Sequence, residues 1–176
     1  MLPTFRYHPD PIVTGSIEPS DERCVACGRA RGYTYAGPVY TEGELDGPLC
    51  PWCIADGSAA KKFDADFIDL WSEAGALPGP VFDELAHRTP GYHSWQQGSW
   101  LFHCGDGCAF LGEVGQPDLA AYADALDVIR QECKGIGWPD AAVDEFLASI
   151  TKGGSPTAYL FRCLVCGVHL AYADFD

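Results

Sequence analysis

Residues 24–28 read CVACG and residues 50–63 read CPWCIADGSAAKKF, with 22 residues between Cys27 and Cys50. Two Cys-x-x-Cys pairs at this spacing supply four thiolates, the soft ligand set that tetrahedral zinc takes at roughly 2.3 Å when no coordination position is left for substrate. The short loop within each pair lets both sulfurs reach one ion, and Gly28 supplies the backbone freedom that the tight turn after Cys27 needs. Working outward, a second set follows: Cys104 and Cys108 in CGDGC, then Cys163 and Cys166 in CLVCG. The expected ligands are therefore Cys24, Cys27, Cys50 and Cys53 on one zinc and Cys104, Cys108, Cys163 and Cys166 on another. Of the nine cysteines only Cys133 stands apart.

Around these pairs the composition is that of a folded chain. Its 176 residues are 47% hydrophobic and 12% aromatic, enough for one sizeable domain or two small ones. The start, MLPTFRYHPDP, carries two prolines beyond Pro3 where a signal peptide would run apolar, and no window approaches the ~18 apolar residues of a membrane span. A cytoplasmic location is expected, and in reducing cytosol paired cysteines are metal ligands rather than disulfides. Acidic residues outnumber basic ones 25 to 11, giving −14; two four-thiolate zinc sites at −2 each would take this to −14 − 4 = −18. Such a field repels phosphate backbones, and the few basic residues are scattered, so nucleic-acid binding is not expected. The acidity serves solubility, or it attracts a basic protein partner.

The chain divides into an extended arm (1–23) with four prolines, a first zinc lobe (24–76) and a second zinc lobe (77–176), packed as one globule. Phe5, Tyr7 and Ile12 are candidates to lay the arm across the domain, and His8 reads as a turn residue. RGYTYAGPVYT (31–41) predicts a β-hairpin, and Phe63, Phe67, Leu70 and Trp71 recur at helical spacing after Cys53, with Gly57 placed to delay the start of that helix. Knuckle, hairpin and helix in this order suggest a treble-clef-like unit. A short helix is expected between Pro80 and Arg88. WLFHC (100–104) and YLFRC (159–163) each predict a strand entering a knuckle with another strand after it, a zinc-ribbon-like pair. The insertion 117–152 reads as two covering helices. Leu119, Tyr122, Leu126, Ile129 and Cys133 mark the first, making Cys133 a small buried hydrophobe; Val143, Phe146, Leu147 and Ile150 mark the second, from Asp140. The fold class is α+β.

Long blocks match a known family: FRYHPDPIVTGSIEPS, CPWCIADGSAAKKFDADF, RTPGYHSWQQ, HCGDGCAFLG and YLFRCLVCG. Together they resemble the CbrC family, an uncharacterised bacterial family whose named member is associated with colicin tolerance. The resemblance implies a bacterial, cytoplasmic protein linked to surviving a protein toxin; it supplies no catalytic residue. The linker between Trp71 and Pro90 departs from that pattern in being short and less acidic.

Four sulfurs per ion leave no open position for zinc catalysis, so an enzyme would need another centre. The candidate is GYHSWQQGSWLFHC (91–104), where Tyr92, His93, Trp95, Gln96, Gln97, Trp100 and His103 cluster; it reads equally as core packing. Asp106 and His169 are candidates to support a ligand or replace a sulfur. Asp64, Asp66 and Asp69 read as a solvated helix face, and HExxH, GxSxG and phosphate-loop motifs are absent. The expected function is a non-enzymatic, zinc-stabilised acidic interaction protein of immunity-like type that binds a basic protein. The alternative is a small hydrolase or transferase using His93, Trp95 and His103.

Overall fold

Strand β1 (Ile17–Pro19) leaves the N-terminal arm to pair antiparallel with β2 (Tyr33–Tyr35), placing Ile17 opposite Tyr35. The computed structural model describes residues 1–70 and 75–174. Strand β3 (Tyr40–Thr41) pairs instead with β4 (Ala65–Asp66). The hairpin expected over residues 31–41 therefore does not form. The Tyr35 hydroxyl donates to the Pro38 carbonyl at 2.7 Å and the Tyr35 amide to the Leu49 carbonyl at 2.8 Å, so the two strands part toward different partners.

Helix α1 (Pro51–Ala55) begins with proline at its first position, where the missing N–H costs nothing. Helix α2 (Ser58–Phe63) follows after Gly57, held at φ 75°. The helix predicted to run through Phe67 and Leu70 stops at Phe63, because Asp64 takes a left-handed conformation (φ 47°) and the chain continues as β4. Phe67, Ile68 and Leu70 are buried all the same, outside any helix; Trp71 lies outside the described residues. The aspartates are thus not one helix face: Asp66 faces His87 at 3.1 Å. Helix α3 (Gly79–Arg88) occupies the stretch expected for it.

The second part is a four-stranded antiparallel sheet in the order β5 (Phe102–His103), β6 (Asp106–Val114), β7 (Thr157–Cys163), β8 (His169–Asp174). Alternation along β7 sends Tyr159 and Phe161 to one face and Ala158 and Leu160 to the other. The first face is aromatic, with Tyr92 stacked on Phe110 at 3.9 Å between ring centres. The second is covered by three helices, α4 (Gln116–Leu119), α5 (Ala123–Gly135) and α6 (Asp140–Ser149), where two were expected: the helix predicted through Leu119 and Tyr122 is interrupted at Tyr122, which sits at φ −124° and ψ 71°. Cys133 is buried there with Ile129, Val143 and Leu147, a core filler.

The arm is built into this sheet. Phe5 and Tyr7 are buried, whereas Ile12 is 44% exposed and does not anchor it. The Tyr7 hydroxyl donates to Asp106 at 2.7 Å, the Arg6 guanidinium reaches the same carboxylate at 2.5 Å, and the Tyr7 carbonyl accepts the Phe110 amide at 2.8 Å. His8 is fully buried, edge-on to Phe110, with ring nitrogens 2.7 Å from the Pro90 carbonyl and 2.6 Å from Thr14 Oγ1.

Burial lowers the His8 pKa to about 4, against the opposing pull of the Pro90 carbonyl and Asp10. The unfolded chain then binds a proton near pH 6.5 that the folded chain refuses until about pH 4, so this contribution is present above pH 6.5 and lost as pH falls toward 4. Its full size is on the order of 3 kcal/mol. Urea unfolding at pH 7 and pH 4.5 should show a smaller acid loss in His8→Gln than in the wild type. Thiol protonation affects both proteins alike and cancels in that difference; equal losses would exclude His8 as the source.

Candidate metal centres

Cys24, Cys27, Cys50 and Cys53 come together with their sulfurs all within 4.8 Å of one another. The turn after Cys24 is closed by the Gly28 amide donating to the Cys24 carbonyl at 2.7 Å, and Cys50 sits at the N-cap of α1, which carries Cys53 in its first turn. The Cys27 and Cys50 sulfurs are 3.9 Å apart, against about 3.8 Å for two sulfurs on one tetrahedral zinc. Burial pushes the Cys50 and Cys53 thiols up. In Cys24 burial acts in the same direction but is outweighed by amides of Cys27, Cys50 and Ala26, and its pKa is lowered. Amide donors aimed at sulfur favour the thiolate, the form that binds metal.

The second group is not the quartet expected from the sequence. It comprises His103, Cys104, Cys163 and Cys166, again within 4.8 Å of one another, with His103 where Cys108 was expected. The physical reason lies in the hairpin between β5 and β6. His103 pairs with Asp106, so Cys104 and Gly105 are the two residues of a tight turn, both at positive φ (55° and 74°). His103 Nδ1 lies 3.2 Å from the Cys104 sulfur and 3.3 Å from that of Cys166. Cys108 stands further along β6, opposite Cys163 and fully buried in the aromatic core, where burial first and then the neighbouring thiols push its pKa up to about 12. Cys163 is lowered to about 6: burial opposes this, but amides of Cys166 and Val165 donate to its sulfur at 3.5 and 3.4 Å, and His103 adds to the effect. Both groups can hold a metal ion, the second with Cys104 and Cys166 exposed.

The other candidates take separate roles. Asp106 is bound to the arm, and His169 faces Asp124, its amide donating at 2.7 Å. Of the aromatic stretch, Tyr92 and Trp100 belong to the core, His93 and Trp95 line an open surface pocket, and His103 joins the cysteines. Two groupings escaped the sequence reading. One is His103, for which the His-Cys dipeptide entering the knuckle was the available signal. The other is His87, held between Asp66 and Asp83 beside a polar cavity of about 500 Å³ that Arg88 also lines; the Asp83/His87 spacing of four on α3 was its signal.

Fold and sites together define a mixed α+β protein with a metal-competent, cysteine-rich centre in each of its two parts. Residues 2–175 match the family described as "Uncharacterised protein family (UPF0167)", and the chain belongs to it. It is 55% identical over 175 residues to the UPF0167 protein Mb2317 of Mycobacterium bovis, covering 99% of this chain and 94% of that one. It is 44% identical over 178 residues to the UPF0167 protein PA1536 of Pseudomonas aeruginosa, covering 99% and 97%. No solved structure matches it. Among the described residues no helix is long and apolar enough to cross a membrane.

Proposed function

We propose that the chain is a zinc-stabilised, non-enzymatic interaction protein of the bacterial cytoplasm that binds a basic protein, in the toxin-tolerance role implied by its resemblance to the CbrC family. The observation that carries this reading is that each centre gathers four protein donors from Cys and His. Four such donors complete a tetrahedral zinc shell and leave no position for an activated water. The first centre is then treble-clef-like and the second zinc-ribbon-like, each stabilising a lobe rather than catalysing. The excess of 25 acidic over 11 basic residues supplies the attraction to a basic partner. The enzyme alternative is not favoured, because His93 and Trp95 line a pocket that His103 does not.

Elemental analysis of the untagged protein should give two zinc ions per chain. His103→Ala should give one, while Cys108→Ala keeps two; the reverse pattern would restore the Cys104, Cys108, Cys163, Cys166 quartet. For the partner, purified basic domains of colicins should be captured at low salt and released as salt rises. Absence of capture at low salt, or capture indifferent to salt, would remove the electrostatic reading.

A further inference from the structure

The segment bearing Trp95 is pinned to the sheet. The Trp95 amide bonds the Tyr159 hydroxyl on β7, and the Gln96 amide donates to Asp174 on β8 at 2.8 Å. Yet the Trp95 side chain is 53% exposed. It forms one wall of a pocket of about 340 Å³ lined by His93, Ser94, Trp95, Glu113, Gly153 and Tyr159.

The chemistry of the lining is one-sided. It holds the exposed Trp95 ring and a carboxylate, with Tyr159 buried in the aromatic core behind them, and no Lys or Arg; Lys152 lines the groove on the other side of Glu113. Glu113 is positioned through one oxygen, Oε1, which accepts from the Gly153 amide at 3.1 Å and Thr157 Oγ1 at 2.8 Å. Its Oε2 is the remaining acceptor. His93 Nε2 lies 2.5 Å from the Ala36 carbonyl. A carbonyl only accepts, so Nε2 carries the proton that bonds it. An exposed aromatic face beside a fixed carboxylate attracts organic cations and repels carboxylates and phosphates.

We propose that this pocket binds a guanidinium or alkylammonium group on the exposed ring of Trp95, against Glu113. The inference deepens the interaction reading and rests on it for one source of the cation, an Arg or Lys side chain of the basic partner seated at an aromatic anchor. A free organic amine is the other source.

The test is a titration of the metal-loaded, full-length protein followed by ¹⁵N NMR at the Trp95 indole and Gly153 amide. The probes are the tripeptide Gly-Arg-Gly with blocked ends and tetramethylammonium chloride, against sodium chloride at matched ionic strength. Saturable shifts with a Kd in the millimolar range are expected for the organic cations and not for sodium. Glu113→Gln, which keeps an acceptor for Gly153 and Thr157, should weaken binding about tenfold, and Trp95→Ala should abolish it at the Gly153 amide. Tighter binding of the tripeptide assigns the site to a partner's side chain; tighter binding of tetramethylammonium assigns it to a free amine. Shifts that follow ionic strength alone, or unchanged affinity in both variants, would overturn the pocket. The probes need no protein partner, so their failure with salt-sensitive capture intact removes only the pocket. Their success without capture removes only the partner.

Discussion

Cys50→Ser is expected to unfold the N-terminal lobe outright while leaving the four-stranded sheet folded. Serine is nearly isosteric, so the substitution opens little space around a side chain that is 1% exposed. What it removes is one of four donors, at the N-cap of α1, whose amide also bonds the Cys24 sulfur at 3.2 Å. Regular structure cannot make up the loss. The lobe's strands are two or three residues long and its helices α1 and α2 five and six, far below the length at which a helix holds its own shape in water. Structural zinc contributes about 10–16 kcal/mol in small zinc-finger peptides, as much as the whole stability of a typical domain, about 5–15 kcal/mol. Hydrogen exchange would check this: the Ile54 and Phe67 amides should lose protection, and the Phe161 and Cys108 amides should keep it. A Cys50→Ser protein within about 2 kcal/mol of wild type would show that the apolar core, not a metal, holds this lobe.

Tyr7→Ala should cost about 3–5 kcal/mol, the range for deleting a fully buried aromatic ring. The ring belongs to the same buried cluster as Leu85 and Phe161, and its hydroxyl is one of the groups that hold Asp106. Burial, and then the Asp106 carboxylate, push the Tyr7 hydroxyl well above its ordinary pKa, so it remains a donor throughout the biological range. Tyr7→Phe isolates that hydrogen bond and should cost about 1.5–3 kcal/mol, the range for a bond to a charged group. Asp106 keeps Arg6 and the Gly107 amide in that variant. Urea unfolding of the two variants separates packing from hydrogen bonding. A loss below about 1 kcal/mol in Tyr7→Ala would mean that the arm rests on the sheet without supporting it.

Cys24, Cys27, Cys50 and Cys53 were legible because their chemistry is periodic: two short loops, each bringing two sulfurs to one point. The hairpin that each echoing segment forms with the strand after it, β5–β6 and β7–β8, was legible for the same kind of reason, a repeated pattern of entry residues, and so was an apolar stripe at helical spacing in the insertion, although its first helix divides into α4 and α5. In the second group the structure brings His103, rather than the expected Cys108, to the other three cysteines, and donors in adjacent positions, His103 and Cys104, fit no Cys-x-x-Cys template. A two-residue turn can aim both at one point, and that is a property of φ at Cys104 and Gly105 rather than of composition. The helix through Phe67 and Leu70 failed because buried residues in an irregular segment can fall at helical spacing by chance, and nothing in the residue type of Asp64 announces a left-handed cap. The hairpin over residues 31–41 failed because both strands found partners far away in sequence, β1 and β4, which local alternation does not encode.

The two centres also differ in when they can close. The first draws its donors from a span of 30 residues, Cys24 to Cys53, short enough to gather before much else is in place. The second takes His103 and Cys104 from one side of the helical insertion and Cys163 and Cys166 from the other, so its two halves meet only when β6 and β7 have paired across it. Helices α5 and α6 rest on local contacts, whereas β6 and β7 pair across the whole insertion, and local contacts as a rule form faster than pairings of distant strands. An ion at the first centre is accordingly a seed for its lobe, and one at the second is a latch on a sheet already assembled.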